Sequence, residues 1–435
     1  MIALMLLACA GDPKTEHPAH TGDPFVEDEE NEIEEEWVCA SPEVALSGAD
    51  TAWSATTEHY AMRISGFDEA EALNLATLAE TAWGGLEIFF GGAVEGPLTV
   101  VIAADLDGFT AALAEDGITG LEGAGGYYDP GGQRAYLYRQ PTAYYSRVLM
   151  LHELVHQYQD LTGGLGALPT WYVEGLAEAL SRHHWDGACN QLRVRPLLSW
   201  EDAAASALAE IEAGPPDLSA VLAGGAASRP LSGELVRLLA GDPDLAPGFT
   251  DWRDAVATGA TLATDIGAFE AAIAPLDQVE EALLAFVPED QEPLSPVWLD
   301  WIPEGADQAR GFSELSSAAR VKGELSRFSM SLGWPTGGPA GAVYGYDPST
   351  GDLELALLSP DGGVSRFAVI SGAVTWDVLG AVAVSGAAAW SQEAGADSTE
   401  ITVGADTVTL PRALPPAGGL ALYGAEAVFS DLSWE

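Results

Sequence analysis

The chain contains 435 residues, 48% of them hydrophobic, so it is long enough to form two or three domains with separate cores. Its 66 acidic residues outnumber 17 basic ones, which gives a formal net charge of −49. Because such a surface repels phosphate backbones and anionic lipids, we expect no nucleic-acid partner and no direct binding to anionic membranes. The acidity has two explanations, adaptation to salty surroundings and solubility of an exported protein, and we favour the second.

The first nine residues are an apolar run that ends in Cys9. The run is too short to cross a bilayer as a helix. It resembles the end of a bacterial lipoprotein signal, in which a small residue precedes a cysteine that becomes lipidated. The resemblance implies a signal remnant over residues 1–9, export to the outer surface or periplasm, and membrane attachment only through a lipid on Cys9. The alternative is a buried N-terminal segment.

Residues 10–45 are predicted to form a disordered acidic linker. They are rich in Gly, Pro, Thr and acidic residues, and like charges at the density found over 27–36 resist packing. With Cys9 lipidated, Cys39 and Cys189 remain, and in an oxidising compartment we expect them to form a disulfide. The alternative is two unrelated buried thiols.

A mixed α/β pattern begins near residue 51, with helical periodicity alternating with short apolar runs. A Gly- and Pro-containing turn over 125–132 predicts a hairpin. The predicted elements are strand 58–64, helix 69–90, strand 97–103, helix 107–115, strand 134–138, helices 144–160 and 171–183, and further helices between 199 and 288.

The composition changes around residues 288–293, where short β segments separated by Gly-rich turns begin. Segments of this spacing are typical of an antiparallel sandwich. The predicted fold is therefore an α+β multidomain chain, with an α/β and helical domain over 46–290 followed by a β-sandwich over 291–435. The predicted strands of the sandwich are 327–334, 341–346, 353–358, 366–371, 375–384, 400–410 and 419–434.

The sequence His-Glu-Leu-Val-His over 152–156 is an H-E-x-x-H motif inside a predicted helix. Residues four apart lie one turn apart on the same helix face, so His152 and His156 can bind one cation. Glu153 lies beside them, where a carboxylate can take a proton from a metal-bound water. The motif predicts one catalytic Zn²⁺, with Glu153 as the general base.

A hydrolytic zinc site usually has three protein ligands and one position for water. The candidate third ligand is Glu174, which follows His156 after a helix end and a Gly-rich reversal. Glu178 lies one turn further on the same face and is a candidate to orient a ligand imidazole. The alternative is that Glu174 and Glu178 form an exposed acidic face.

This motif together with Leu-Pro-x-Trp-x-x-Glu-Gly-Leu-Ala-Glu over 168–178 resembles the gluzincin zinc peptidases, and more narrowly the bacterial peptidase MA-like proteins. The resemblance covers roughly residues 51–290. It implies a zincin-like fold, hydrolysis of peptide or protein substrates, His152, His156 and Glu174 as ligands, and Glu153 as base. These families often supply a Tyr or His for the oxyanion, but the stretch before Ser232 contains neither. Four tyrosines remain as candidate donors: Tyr127, Tyr128, Tyr158 and Tyr172. The alternative, which we favour for each, is an ordinary position in the core or at its rim.

The C-terminal region resembles a concanavalin A-like or laminin G-like sandwich through Gly-Ala-Val-Tyr-Gly-Tyr-Asp at 341–347 and the final segment 419–433. The resemblance implies a carbohydrate or cell-surface ligand, for which Trp334, Tyr344 and Trp376 are candidate stacking residues. The alternative, which we favour for most of them, is burial in the core. Two alternatives to the peptidase stay open. One is a non-catalytic surface protein whose sandwich binds a carbohydrate or protein, and the other is a zinc hydrolase acting on a non-peptide bond.

Overall fold

The structure is a computed structural model that describes residues 41–435 with short gaps. The gaps are 93, 122–123, 141–142, 166–167, 187–190, 195–196, 198–205, 208–209, 212, 215, 226, 260–262, 287–293, 299–300, 306–307, 322–324, 334–337, 348–349, 351, 372 and 385–386. Cys9, Cys39 and Cys189 lie outside the described residues, so lipidation, the disulfide and export stay predictions. Among the helices described, none has the length and apolar character needed to cross a membrane.

A six-stranded mixed sheet opens the fold. Its strands are β1 (Ala45–Ala49), β2 (Ala52–Thr56), β3 (Tyr60–Ser65), β4 (Leu98–Ala103), β5 (Gly126–Asp129) and β6 (Arg134–Tyr138). Their order in the sheet is β1-β2-β3-β4-β6-β5, with β3, β4 and β6 parallel and the rest antiparallel. The predicted hairpin therefore forms β5 and β6, and it places β5 at the edge of the sheet.

Two long helices cover one face of this sheet. The first, α1 (Glu69–Phe90), begins where the Asp68 side chain accepts a hydrogen bond from the backbone N–H of Glu71, and ends at Gly91 in a left-handed conformation. A short helix α2 (Leu106–Glu115) packs on the opposite face. The second long helix, α3 (Ala143–Gly163), contains the H-E-x-x-H motif and packs against α1. The motif is thus held on a helix that lies within the core.

A helical region follows α3. It consists of α4 (Thr170–Leu180), α5 (Leu218–Leu222), α6 (Arg229–Gly241), α7 (Ala246–Thr258), α8 (Ile266–Ala272) and α9 (Leu276–Phe286). Between α4 and α5 lies a hairpin of β7 (His183–Asp186) and β8 (Gln191–Val194). The prediction that the second helix continues to residue 183 is wrong, because α4 ends at Leu180. His183, the first residue of β7, is fully buried.

Helices α4 and α6 approach closely because two glycines face the contact. A Cβ on Gly175 would lie 2.5 Å from the carbonyl oxygen of Ser232, and a Cβ on Gly233 would lie 2.9 Å from Cβ of Glu178. Real side chains do not tolerate such distances, so both positions require glycine for this packing. The close approach brings the first turn of α6 beside the middle of α4.

The C-terminal part is an antiparallel β-sandwich, which confirms the predicted fold class. Its strands are β9 (Leu294–Trp298), β10 (Trp301–Gly305), β11 (Gln308–Val321), β12 (Arg327–Gly333), β13 (Ala340–Asp347), β14 (Asp352–Leu358), β15 (Gly363–Ile370), β16 (Ala373–Ala381), β17 (Ala388–Ala394), β18 (Ser398–Val403), β19 (Asp406–Pro411) and β20 (Gly419–Trp434). The main path runs β16-β15-β14-β13-β20-β12-β17-β18-β19, and β11 pairs with β9, β10 and β20. The exact domain boundaries, 46–290 and 291–435, stay predictions.

Several strands of the sandwich were not predicted. The segment 400–410 is two strands, because Gly404 turns the chain in a left-handed conformation with φ of 62°. Strands β9 and β10 were missed because each contains a proline, which argues against a strand. Strands β11 and β17 were missed because Ala, Ser and Gln interrupt the β-branched and aromatic pattern on which strand prediction depends. The sandwich also contacts the first part of the chain, because Val148 of α3 belongs to a buried cluster with Val343, Leu355 and Phe367.

Candidate metal centre

His152 and His156 project from one face of α3, one helical turn apart, as their spacing predicts. Both side chains are buried, and their rings meet edge to face at 89° with centroids 4.6 Å apart. The two Nε2 atoms lie 3.1 Å from each other. A buried pair of imidazole nitrogens at this distance is arranged to share one proton or one cation.

Glu174 reaches the same point from α4. Its Oε2 lies 3.4 Å from Nε2 of His152, and its Oε1 lies 3.8 Å from Nε2 of His156. Ligand atoms bound about 2.0–2.1 Å from a tetrahedral zinc are roughly 3.3 Å apart, so the three observed separations match such a set. Oε2 of Glu174 and Nδ1 of His156 are buried with no well-aligned hydrogen bond among the described residues. This group can therefore hold a metal ion.

Glu178 contacts the opposite nitrogen of one ligand ring. Its Oε1 lies 3.3 Å from Nδ1 of His152, and its Oε2 lies 3.1 Å from Nη2 of Arg182. A carboxylate at Nδ1 favours the tautomer that places the proton there, which leaves the Nε2 lone pair free for a metal. Arg182 balances the charge of this carboxylate. Glu178 thus contacts the imidazole of His152, and its role in orienting that ring stays a prediction.

Glu153 is 3% exposed and lies against the edge strand β5. A Cβ on Gly126 would lie 2.6 Å from Oε1 of Glu153, so the glycine makes room for the carboxylate. Burial raises the pKa of Glu153 to about 7, although the positive charges of His152 and Arg229 lower it. A carboxyl group with a pKa in this range can both accept and release a proton near neutral pH.

The other groups of the centre are shifted by their neighbours. Burial lowers the pKa of His156, and a charge on His152 lowers it further, so this ring is neutral, which is the form that binds metals. Burial also disfavours the charged form of His152, but contacts with Glu174 and Glu178 outweigh burial and raise its pKa. The same contacts lower the pKa values of both carboxyl groups against the effect of burial. A metal ion that binds here therefore displaces a proton from His152.

Arg229 also enters the centre, and sequence reasoning missed it. It opens α6, and its Nε lies 2.8 Å from Oε2 of Glu174. Because that oxygen accepts no well-aligned hydrogen bond, the contact is an ion pair of short distance and poor angle. A positive side chain in the first turn of a helix is electrostatically unfavourable. That local penalty was the one available signal that Arg229 serves a neighbouring carboxylate.

The four tyrosines that are candidate oxyanion donors are each held away from that role. Two donate hydrogen bonds elsewhere, one is buried in another cluster, and one lies on the opposite face of the sheet. Tyr128 donates a hydrogen bond to Oδ2 of Asp160 at 2.9 Å, and Tyr158 donates one to a backbone carbonyl at 2.7 Å. Tyr172 is buried in the aromatic cluster of the helical region. Tyr127 neighbours Gly126 in β5, so its side chain lies on the opposite face of the sheet from Glu153, in the cluster under α2.

No family model matches this sequence, and no curated protein matches it either. Among solved structures, the carbohydrate-binding module CBM66 from Bacillus subtilis is 18% identical over 34% of this chain and 97% of the module, with a TM-score of 0.29. A toad ovary galectin in complex with thio-digalactose is 14% identical over 28% of this chain and 100% of the galectin, with a TM-score of 0.22. Sheep galectin-11 is 11% identical over 28% of this chain and 95% of its own, also at 0.22.

The C-terminal β-sandwich resembles these modules in general architecture. Similarities this loose carry no argument about ligand or activity. Of the three aromatic candidates for sugar stacking, Trp334 lies outside the described residues. Tyr344 is fully buried in the sandwich core, which is the position expected for most of the three. Trp376 on β16 is 40% exposed and contacts Phe367 and Tyr423 edge to face.

Proposed function

We propose that this protein is a zinc-dependent peptidase of the gluzincin type, with His152, His156 and Glu174 as ligands. The observation that carries the proposal is the convergence of these three side chains from two helices, at separations that suit tetrahedral zinc. Two imidazoles and one carboxylate are a ligand set of catalytic zinc, which leaves the fourth position for water or substrate. Glu178 supports the set by fixing the tautomer of His152.

When bound, zinc would act as a Lewis acid and lower the pKa of water in the centre. Glu153 is the general base, because its carboxylate is buried beside the ligands and has a pKa near neutrality. It takes a proton from the attacking water and later delivers that proton to the leaving amine. Because the surrounding core excludes bulk water, the electrostatic interactions between these charges are strong.

The edge strand β5 supports a peptide substrate in this proposal. β5 pairs with β6 on one side, and among the described strands none pairs with its other side. An extended peptide can add to such an edge through main-chain hydrogen bonds. Because Gly126 of β5 touches Glu153, a peptide bound along this edge would place its carbonyl groups near the general base.

The test compares wild type with Glu153→Gln for zinc content and for cleavage of a peptide library. We expect about one zinc per chain in both proteins, as a three-ligand site implies. We also expect cleavage only by wild type. Glu115→Gln, at an exposed carboxylate far from the centre, is the control and should cleave normally. Absence of zinc from wild type, or equal cleavage by Glu153→Gln, would refute the proposal.

A second function, binding of a carbohydrate by the sandwich, is favoured by one observation. A groove of about 380 Å³ lies along β12, β17, β18 and the end of β20. Its lining combines hydroxyl groups, carboxylates, a guanidinium and an indole, from Ser329, Ser391, Thr402, Ser433, Glu393, Glu400, Arg327 and Trp434. Such a mixture suits a neutral polyol, because hydroxyl and carboxylate groups can bond sugar hydroxyls while an indole packs on a ring.

The carbohydrate function is tested by glycan-array binding of the full chain, with Glu400→Ala as the variant. We expect the wild-type protein to bind one defined class of glycan and the Glu400→Ala variant not to bind it. If peptide cleavage is absent while a glycan binds, the non-catalytic surface protein becomes the better description. If the wild-type protein binds no glycan on the array, the proposed carbohydrate function is wrong.

A further inference from the structure

We infer that Arg229 is a catalytic residue that stabilises the oxyanion formed during peptide hydrolysis. The inference rests on the proposed function and supplies the donor that the sequence leaves unassigned. The candidate tyrosines are excluded as donors, because they are buried, bonded elsewhere or on the opposite face of the sheet. Arg229 is the one cation that contacts a proposed ligand among the described residues.

The guanidinium has donors to spare. It carries five N–H groups in a planar fork, and its contact with Oε2 of Glu174 involves Nε. The Arg229 side chain is 55% exposed, so part of the fork is accessible to a substrate. One end of the side chain is thus fixed at Glu174 while the rest is accessible.

The positive charge of Arg229 lies within ion-pair distance of a proposed ligand, because its Nε is 2.8 Å from Oε2 of Glu174. The same carboxylate lies 3.4 Å from Nε2 of His152 and 3.8 Å from Nε2 of His156. The guanidinium is therefore beside the place where the negative charge of the reaction develops.

The fold holds Arg229 in place. The Ser228 hydroxyl accepts a hydrogen bond from the backbone N–H of Leu231, which caps α6, and Pro230 stabilises its first turn. The close approach at Gly175 and Gly233 fixes α6 against α4. Preorganisation of this kind is what an oxyanion donor requires, because it then costs no rearrangement during the reaction.

The charges of the centre are paired except at the general base. Arg182 balances Glu178, and Arg229 balances Glu174, so Glu153 is the carboxylate of the centre without a partner cation among the described residues. An arginine at a helix N-terminus opposes the helix dipole. Its contact with Glu174 explains this position and keeps the guanidinium beside the centre.

The water oxygen forms a bond to the peptide carbon while Glu153 takes one of its protons, and the carbonyl π electrons move onto the carbonyl oxygen. Arg229 donates a hydrogen bond to that oxyanion. An electron pair of the oxyanion then re-forms the carbonyl bond, the C–N bond breaks with its electron pair going to nitrogen, and Glu153 delivers the proton to the amine.

The experiment uses the full chain carrying zinc, with Arg229→Met, Arg229→Lys and the control Arg63→Met. Arg63 is an equally exposed arginine, 56% against 55%, paired with Glu115 far from the centre. We expect Arg229→Met to lower kcat by roughly 10²–10³-fold with little change in KM, the range for loss of one oxyanion donor. Arg229→Lys should recover part of this loss, and Arg63→Met should match wild type.

Two further readouts separate catalysis from a structural role. Zinc content should stay near one per chain in all variants. A phosphonamidate peptide, whose tetrahedral phosphorus carries a negative oxygen, should bind Arg229→Met more weakly by a factor similar to the fall in kcat. The corresponding uncleaved substrate analogue should bind both proteins equally.

The outcomes are distinct. If wild type cleaves peptides and Arg229→Met cleaves them equally fast, this inference is wrong and the peptidase assignment stands. If kcat falls only in proportion to lost zinc, Arg229 positions Glu174 and does not touch the oxyanion. If wild type binds zinc and cleaves no peptide, the proposed function fails, and the inference fails with it.

Discussion

Two buried glutamates, one in each half of the chain, show opposite ways of keeping a carboxylate away from water. Glu354 in the sandwich is fully buried, and its Oε1 lies 2.6 Å from Nη2 of Arg366. Its Oε2 accepts hydrogen bonds from the backbone N–H groups of Ala413 and Leu414 at 2.9 and 3.1 Å. Both oxygens are therefore satisfied, as a structural charge requires.

Glu153 in the α/β part is buried almost as deeply, but no ion pair or hydrogen bond to it is found among the described residues. Its pKa is raised to about 7, chiefly by burial. The difference teaches that a buried carboxylate with every oxygen bonded serves the fold, while one left without partners is available for chemistry. Helix α3 also supplies the partner of a satisfied carboxylate, because its Arg147 pairs with buried Glu71 of α1.

The largest expected effect is on hydrolysis. Glu153→Gln should lower kcat by roughly 10³-fold, within the range of 10²–10⁴ for loss of a general base. Because the variant removes a buried charge without a partner, its free energy of unfolding should equal or exceed that of wild type. Initial rates on a cleaved peptide and urea unfolding give both numbers. A clear loss of stability would contradict the comparison.

The same substitution at the buried glutamate of the sandwich should have the opposite effects, lower stability and an unchanged kcat. Glu354→Gln leaves Arg366 without its buried partner charge, and breaking such a pair costs about 3–5 kcal/mol. Urea unfolding followed by tryptophan fluorescence should show this loss. The kcat of the folded fraction should stay at the wild-type value, since Glu354 lies outside the centre. Arg327→Gln, at an exposed ion pair with Glu393, is the control and should change stability by less than about 1 kcal/mol.

The ion pair between Arg147 of α3 and Glu71 of α1 tests whether a buried charge pair on the helix of the metal centre serves the fold alone. Arg147→Met should destabilise the fold by about 3 kcal/mol or more, because Glu71 then stays buried without its cation. Arg147→Met with Glu71→Met should recover much of the loss, since apolar side chains of similar size suit the site. Zinc content of the folded double variant should match wild type. If the double variant is no more stable than the single one, the pair contributes through more than charge.

The spacing of the motif was enough to predict where the two histidines lie, because residues four apart in a helix must share a face. The bounds predicted for helix 69–90 also agree with the structure, since Asp68 and Gly91 cap it with local interactions. Glu174 is close to His156 in the sequence, because only one chain reversal separates them. A local sequence pattern was therefore enough to predict it as the third ligand.

Arg229 depends on tertiary contacts and so could not be predicted in the same way. It lies 55 residues after Glu174, and their contact follows from the approach of α4 and α6 at Gly175 and Gly233. No local pattern reports such packing. Tyr344, by contrast, is buried as expected for most of the sandwich aromatics, because it lies on a strand that is covered on both faces.

The smallest expected effect tests the fit between Glu153 and the edge strand. Gly126→Ala adds a methyl group that would lie 2.6 Å from Oε1 of Glu153, so the carboxylate must move. A misplaced base should lower kcat by about tenfold, or about 1.4 kcal/mol in transition-state stabilisation. Stability should change by less than about 1 kcal/mol, because the side chain that moves can rotate. Gly131→Ala, in the turn of the same hairpin, meets its nearest atom at 3.4 Å and should cleave normally. Equal rates for both variants would mean that the catalytic carboxylate does not work from the position in which it lies against β5.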